Sequence, residues 1–401
     1  MSPLFKFPWS EAVSLEKPSL ADYRREVTVE RVEILPVRYP TVMPFRFFES
    51  PVFGSGRPAV FVKLTASDGT MGWGQSVPSP RWGGEPLESA CFTLEYYLKP
   101  VVLGKNPFDI EDIHRAMDTE VPDAAYTALA ITKAGIDLAL HDLAGRIAGR
   151  NVAELWGRPK GQPVELSWTV CPADPADADN WVALGREDGY RHFNIKVAPD
   201  LEKDRKLCRI VRGLAPEGFL WADANCGYDE ATALRAVVAL AEDGAAVLEQ
   251  PLRPHCITGY QRVHAAAKLP IVMDEGLVSP EQLREYLVLG CCDGAAMKPA
   301  RCGGLLSARR QVEMLREGGH LFLGSGLSDP DVSLAASLIL YGAYNLDRPA
   351  ALNGPQFLGL SMLKTPLLPV DGFLTAPDGP GLGVEVDEDA VRAHCCPPYW
   401  K

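Results

Sequence analysis

Ten cysteines are scattered along this 401-residue chain, yet no C-x-x-C pair occurs among them. That excludes the usual zinc knuckle, and the adjacent pairs Cys291-Cys292 and Cys395-Cys396 fit no disulfide framework. The thiols read as reduced, which places the protein in the cytoplasm. Positive charge is in deficit: 40 Lys and Arg stand against 52 Asp and Glu, a net charge of -12. Nucleic acid is therefore a poor partner, because phosphate backbones reward clustered cations. A small anion is not excluded, since one local cation outweighs a distant net charge. Long apolar runs are also missing. The most apolar helical stretch, VSLAASLILYGAYNL, is too short to span a bilayer and carries Ser and Tyr. The start, MSPLFKFPWSEAV, lacks the basic end and apolar core of a signal peptide. No Gly-rich first turn of a dinucleotide-binding sheet is found either.

What is present points to a globular protein with a sizeable core: 47% hydrophobic and 23% charged residues. The length suits a barrel plus a second lobe. Residues 1–26 are polar and Pro-containing and read as an arm. VTVERVEILPVRY then alternates like a strand, and PAVFVKLTASDGTMGWGQS reads as a hairpin turning at Asp68-Gly69. Between them, PTVMPFRFFESPVFGSGR is a strange core segment but a reasonable lid. A helical block ends near Gly157, so residues 27–160 are expected to form an α+β capping domain. From 161 to 355 the rhythm alternates. ELSWTV, HFNIKVA, FLWADAN, AVLEQP, IVMDEG, GAAMKPA, LFLGSG and AALNG each fit a buried parallel strand. Helices separate most of them, with Asp229 and Ser279 as N-caps and Gly244 and Gly290 as stops. Runs repeating at roughly 25 residues predict an α/β (β/α)8-type barrel. Residues 356–401, containing the strand-like GLGVEV, should return to the capping domain.

The acidic residues fall in unusual places. Asp223 and Asn225 close the third strand candidate, Glu249 the fourth, and Asp274 with Glu275 the fifth. An unpaired buried carboxylate costs several kcal/mol, so such placement needs a reason. In a barrel the C-terminal strand ends share one face, where active sites are built. Asp223, Glu249 and Asp274 then converge as hard oxygen ligands that suit Mg2+. Lys196 ends the second strand and Lys298 the sixth, so each approaches from its own side. A lysine beside a divalent cation is biased toward the neutral form that accepts a proton.

These segments resemble the enolase superfamily, in its mandelate racemase/muconate-lactonizing family and muconate cycloisomerase subgroup. The resemblance is carried by Asp223-Ala-Asn225, Leu248-Glu249-Gln250-Pro251, Met273-Asp274-Glu275, Asp293, Met297-Lys298 and Gly303-Gly304. In the first lobe, DGTMGWGQS and AGIDLALHDLAGRIAGRNVAELWG are similar to the capping-domain hairpin and helix. It implies Asp223, Glu249 and Asp274 as metal ligands and Lys196 and Lys298 as acid–base groups. A substrate carboxylate would bind Mg2+ and lose its α-proton to give a metal-stabilised enolate, as in enolase-superfamily sites generally. Family members are commonly oligomeric, so a homo-oligomer is expected.

Three departures stand out. The usual Lys-x-Lys reads Asn194-Ile195-Lys196, the hairpin ends Gly74-Gln75 where many relatives have Glu, and the seventh-strand region is GSGLSDPD, with Asp329, Asp331 or neither in place of the subgroup's Glu. They leave proton abstraction intact and bear on the choice of substrate. Bases on both flanks favour racemisation or epimerisation, and cycloisomerisation fits the same residues. A dehydratase of a β-hydroxy carboxylate is the nearest rival. His320 lies before the seventh strand, at the wrong end for that chemistry, and reads as structural. A barrel lysine forming a Schiff base, or a non-catalytic carboxylate-binding protein, are the readings of another kind. Substrate contacts are expected from Asn194, Asn225, Asp329 and the lobe residues Arg46, Phe47, Phe48, Glu49, Arg81 and Trp82, with Phe48 and Trp82 able to stack on a ring or cation.

Overall fold

The three-dimensional structure is a computed structural model, which describes residues 20–45, 47–50, 54–123 and 129–396. Arg46 lies outside the described residues. Three strands, β1 (Val29–Tyr39), β2 (Arg57–Ala66) and β3 (Met71–Ser76), form an antiparallel sheet in that order. The β2–β3 turn falls where Asp68-Gly69 predicts it. Gly69 takes a left-handed φ of 83°, and the Asp68 carboxylate accepts from the Thr70 N–H at 2.9 Å. The long helix Ala130–Ala148 lies directly on this hairpin. A Cβ at Gly74 would stand 2.0 Å from the Gly135 carbonyl, so only glycine admits the helix there.

Seven parallel strands follow: β4 (Ser167–Val170), β5 (His192–Lys196), β6 (Leu220–Asp223), β7 (Val247–Glu249), β8 (Ile271–Met273), β9 (Gly294–Met297) and β10 (Leu321–Gly324). They are hydrogen-bonded in chain order, each to the next. The eighth candidate, AALNG, is not a strand but a stitch. Ala350 exchanges backbone bonds of 2.8 Å with Glu165 and Ser167 beside β4, and the Ala351 N–H reaches Gly324 on β10 at 2.9 Å. Pro355 and the short helix Gly354–Phe357 end pairing there, since proline has no N–H for a ladder. The stitch joins both edges and closes the barrel.

The expected strand GLGVEV also fails to form. Gly381 and Gly383 have φ of 68° and 71°, which breaks an extended run, and only isolated bridges at Gly381 and Val386 remain. That tail still packs on the first lobe, with the Leu382 N–H on Asp142 at 2.8 Å and Glu388 on Lys63 at 2.6 Å. The helix Asp331–Ala343, which contains most of the apolar stretch, is buried along its whole length. Among the described residues, no helix is long and apolar enough to cross a membrane.

The barrel interior is plugged by Trp221, Val247, Val272, Ala296, Leu323 and Ala351, one from each of six neighbouring positions. Side chains on a strand return to the same face every second residue. Two residues further along, the same segments present Asp223, Glu249, Asp274, Lys298, Ser325 and Asn353. The polar layer is thus the next storey above an apolar floor.

Candidate active site

Five consecutive strands, β5 to β9, deliver Lys196, Asp223, Glu249, Asp274 and Lys298 in that order, with the acids and Lys298 at or just beyond strand ends. Register places Lys196 beside Asp223 and Asp223 beside Glu249. Carboxylate oxygens of Asp223, Glu249 and Asp274 lie within 4.8 Å of one another, and all three residues are buried. Lys196 donates to Asp223 and Lys298 to Asp274, while Lys298 Nζ stands 3.9 Å from Glu249 Oε1. The lysines bracket the acids as their strand order requires.

The electrostatics of this cluster are those of crowded like charge. Burial, then the neighbouring Asp223 and Asp274, push Glu249 well above the usual carboxylate range. Its Oε1 has no hydrogen-bond partner. Glu275 is pushed up to about 8 by burial and by Asp274 and Asp223. Asp274 goes the other way: burial works against its charge, but Lys298 and Arg301 outweigh that and hold it low. For Lys298, burial favours the neutral amine, and Asp274, Glu249 and Glu275 override it to keep the charge. Four acids, counting Glu275, face three cations, Lys196, Lys298 and Arg301. An all-oxygen carboxylate trio with a donorless buried oxygen fits a hard divalent ion.

The remaining candidates divide. Trp82 reaches the site from the capping lobe, its ring centroid 4.8 Å from Lys298 Nζ. Asn225 sits at a left-handed φ of 42° beside the trio, its N–H on Asp223 at 2.9 Å and its amide on Glu275 at 3.1 Å. Asn194 is 1% exposed, and neither of its amide atoms has a partner. It lies level with Trp221, one storey below Lys196. Phe48 is buried in an aromatic cluster with Phe45 and Phe357, so its ring anchors the lobe loop. Asp329 is buried with Oδ1 unpartnered, and the charge of Arg57 weighs more on it than that of Lys298. Asp331 bridges the lobes, accepting from Tyr39 and Ser361 at 2.6 Å and from the Met362 N–H at 2.8 Å. Gln75 joins this network through the Tyr39 hydroxyl at 2.9 Å and the Ser333 N–H at 3.2 Å. A glutamate there would set a second carboxylate on Tyr39.

Two family models cover the chain: "Mandelate racemase / muconate lactonizing enzyme, N-terminal domain" over residues 31–157 and "Enolase C-terminal domain-like" over 177–390. The chain belongs to the mandelate racemase/muconate lactonizing enzyme family. Among its relatives, muconate cycloisomerase 1 of Rhodococcus opacus is 29% identical over 374 residues, covering 92% of this chain and 98% of that protein. An N-succinyl-L-Arg/Lys racemase of Bacillus cereus is 26% identical over 364 residues, covering 89% and 94%. A solved 2-chloromuconate cycloisomerase from Rhodococcus opacus superposes with a TM-score of 0.83 at 27% identity, covering 93% of this chain and all of that one.

Two residues act on the site without a role assigned to them from the sequence, Arg301 and Gln250. Arg301, 1% exposed, donates to Asp274 Oδ1, to Ala296 O at 2.7 Å and to Leu277 O at 2.6 Å. It fixes one oxygen of Asp274 from behind. The only trace in the sequence is a cation inside the small-residue loop Pro299–Gly304, one helical turn after Lys298. Gln250 receives the Asp274 N–H at 2.7 Å and donates to Tyr260 at 2.6 Å, so the residue after Glu249 clamps the next ligand loop. Asp293 proves to be remote: it receives the Ile271 N–H at 2.7 Å at the opposite barrel end, and His320, which precedes β10, lies at that end too.

Proposed function

We propose that this protein is a Mg2+-dependent isomerase that removes the proton α to a substrate carboxylate, as a racemase or epimerase that returns one to the opposite face or as a cycloisomerase. The strand order Lys196, Asp223, Glu249, Asp274, Lys298 carries the reading. Asp223, Glu249 and Asp274 hold the ion. When bound, Mg2+ supplies Lewis-acid charge at the substrate carboxylate, where negative charge develops.

Proton movement falls to the two lysines. Once the acids are engaged by a cation, their hold on Lys298 weakens, and burial with the nearby charge of Arg301 favours the neutral amine. Lys196 stands across the trio, so one amine removes the proton and the other protonates the opposite face. The relatives named as cycloisomerases and as a racemase both fit a site of this kind. Trp82 and Asn194 contact substrate, and Asn225 steadies Glu275 at the rim. The same reading has the enzyme working in the cytoplasm, as its unpaired thiols suit.

The test is deuterium exchange in D2O with Mg2+ across amino acids, N-acyl amino acids, dipeptides, betaines, muconates and hydroxy acids. Exchange at the α-carbon of at least one class, abolished by EDTA and restored by Mg2+, is expected. Mg2+ uptake with no exchange on any of them would make this a carboxylate-binding protein. Activity that survives EDTA, with a borohydride-trapped adduct on Lys196 or Lys298, would make it a Schiff-base enzyme.

A further inference from the structure

A cleft of about 810 Å³ opens from Lys196 toward solvent, between the loops after β4 and β5 and the capping-lobe loop. Its walls are Phe45, Cys171, Pro172, Trp181, Val197 and Leu207. The acids on its lining are already occupied. Asp204 accepts from the Ala198 N–H at 2.9 Å and the Tyr228 hydroxyl at 2.6 Å, and Asp200 caps the helix Leu201–Leu214. The lobe side of the cleft is rigid. Phe45 stacks on Phe357 at 4.6 Å and meets Phe48 edge-on at 5.0 Å. The loop is also stitched to the segment after the barrel by Val42 N–H to Phe357 O at 2.9 Å and Gly359 N–H to Pro40 O at 3.0 Å.

We infer that this cleft receives the distal part of the substrate, and that this part is apolar and ring-sized: an aromatic or branched side group on the carboxylate whose α-proton is exchanged. The inference rests on the proton-abstraction reading above for its inner end, because Lys196 lines the cleft and belongs to the reacting cluster. A pre-formed apolar slot next to a polar reacting centre orients a ligand by its apolar end and fixes it by its charged end. Apart from Lys196, the charged groups on the lining are Asp200 and Asp204, already bonded, and Lys203 at the exposed rim, so the deeper wall that a distal group would cover is apolar. Trp181 is the specificity-determining residue: partly exposed on the helix Ala178–Glu187, it offers a face for stacking while packing against the margins of the main core and of the aromatic cluster.

Matched α-carboxylates that differ only in the distal group, methyl, benzyl or carboxymethyl on an N-acetyl amino acid scaffold, decide it. Exchange is followed in D2O, and binding by tryptophan fluorescence and calorimetry. The benzyl member should exceed the other two by roughly tenfold or more in kcat/KM for exchange, the discrimination a few methylenes support. Trp181→Ala should erase that preference, bringing the benzyl member down to the level of the methyl member, and Trp181→Phe should restore most of it. A preference for the methyl or carboxymethyl member, or equal loss on all three in Trp181→Ala, would overturn the inference. Should no member exchange, benzyl-selective binding that disappears in Trp181→Ala keeps the subsite and removes the proton-abstraction reading. Absence of both exchange and benzyl-selective binding overturns the subsite.

Discussion

Buried carboxylates occupy two regions of this molecule at equal depth, and they are treated in opposite ways. In the capping lobe and at its seam with the barrel, Asp137 and Asp142 are 0% and 1% exposed. Asp142 accepts from the Trp73 and Leu382 N–H groups at 2.8 Å and from Arg146 at 2.8 Å. Asp137 accepts from the Leu305 and Leu306 N–H groups, capping a barrel helix from the other lobe, and from His114 at 2.8 Å. A Cβ at Gly304 would fall 2.1 Å from that carboxylate. At the barrel mouth, Glu249 is 1% exposed with no hydrogen-bond donor on Oε1 and two other acids beside it. Saturation by backbone donors marks a carboxylate that holds structure together. A shortage of donors at the same depth marks one kept for a ligand.

The sharpest way to break this contrast is Glu249→Gln. Turnover should fall by roughly 10⁴-fold, with charge stabilisation and metal binding both impaired. The metal-free protein should keep its denaturation midpoint, because the change removes a charge that burial opposes. Full activity in the variant would end the assignment. Lys298→Ala should cost about 10³-fold, the span of a lost acid–base group. With Lys196→Ala, the two should block exchange for opposite substrate enantiomers. Equal, mild losses in both would count against opposed bases.

Substitution on the structural side should reverse the pattern. Asp142→Ala leaves two N–H groups and Arg146 without their partner, so urea denaturation should report about 3 kcal/mol lost. Activity per folded molecule should be preserved. Tyr39→Phe, which takes a donor from Asp331, should cost about 1 kcal/mol. The smallest effect is on pH. Burial would raise Asp137, but His141 and His114 outweigh it and hold its carboxyl below the usual range. The folded state thus binds that proton less readily than the unfolded chain. Its contribution is complete above the free-carboxylate pKa of about 3.9 and fades as pH falls toward the lower folded value. Asp137→Asn should flatten the acid limb of a stability–pH curve.

Much of this was legible in the sequence because a charged residue inside an apolar run is costly and therefore informative. That logic located Asp223, Glu249, Asp274, Lys196 and Lys298, and the parity of strand side chains put them in one layer. That the eighth candidate bridges both edges instead of forming a strand was not legible, because pairing at Ala350 and Ala351 depends on two edges brought together by the whole closed sheet. GLGVEV misled for a local reason: its glycines adopt left-handed backbone that its apolar alternation conceals. Arg301, Phe45 and Trp181 act across the chain, on partners 27 or more residues away or on a cleft built from three loops. Periodicity carries no record of such contacts. Asp331 shows the converse, a conspicuous acid in a candidate motif whose donors come from the other lobe and the tail.

Calorimetric titration of Mg2+ into the metal-stripped wild type, Glu249→Gln and Asp142→Ala addresses the contrast most directly. One ion should bind per chain in the wild type and in folded Asp142→Ala, with uptake lost in Glu249→Gln. Equal uptake by Glu249→Gln, or loss confined to Asp142→Ala, would contradict the claim that the crowded acids around the donorless oxygen of Glu249 form the cation site.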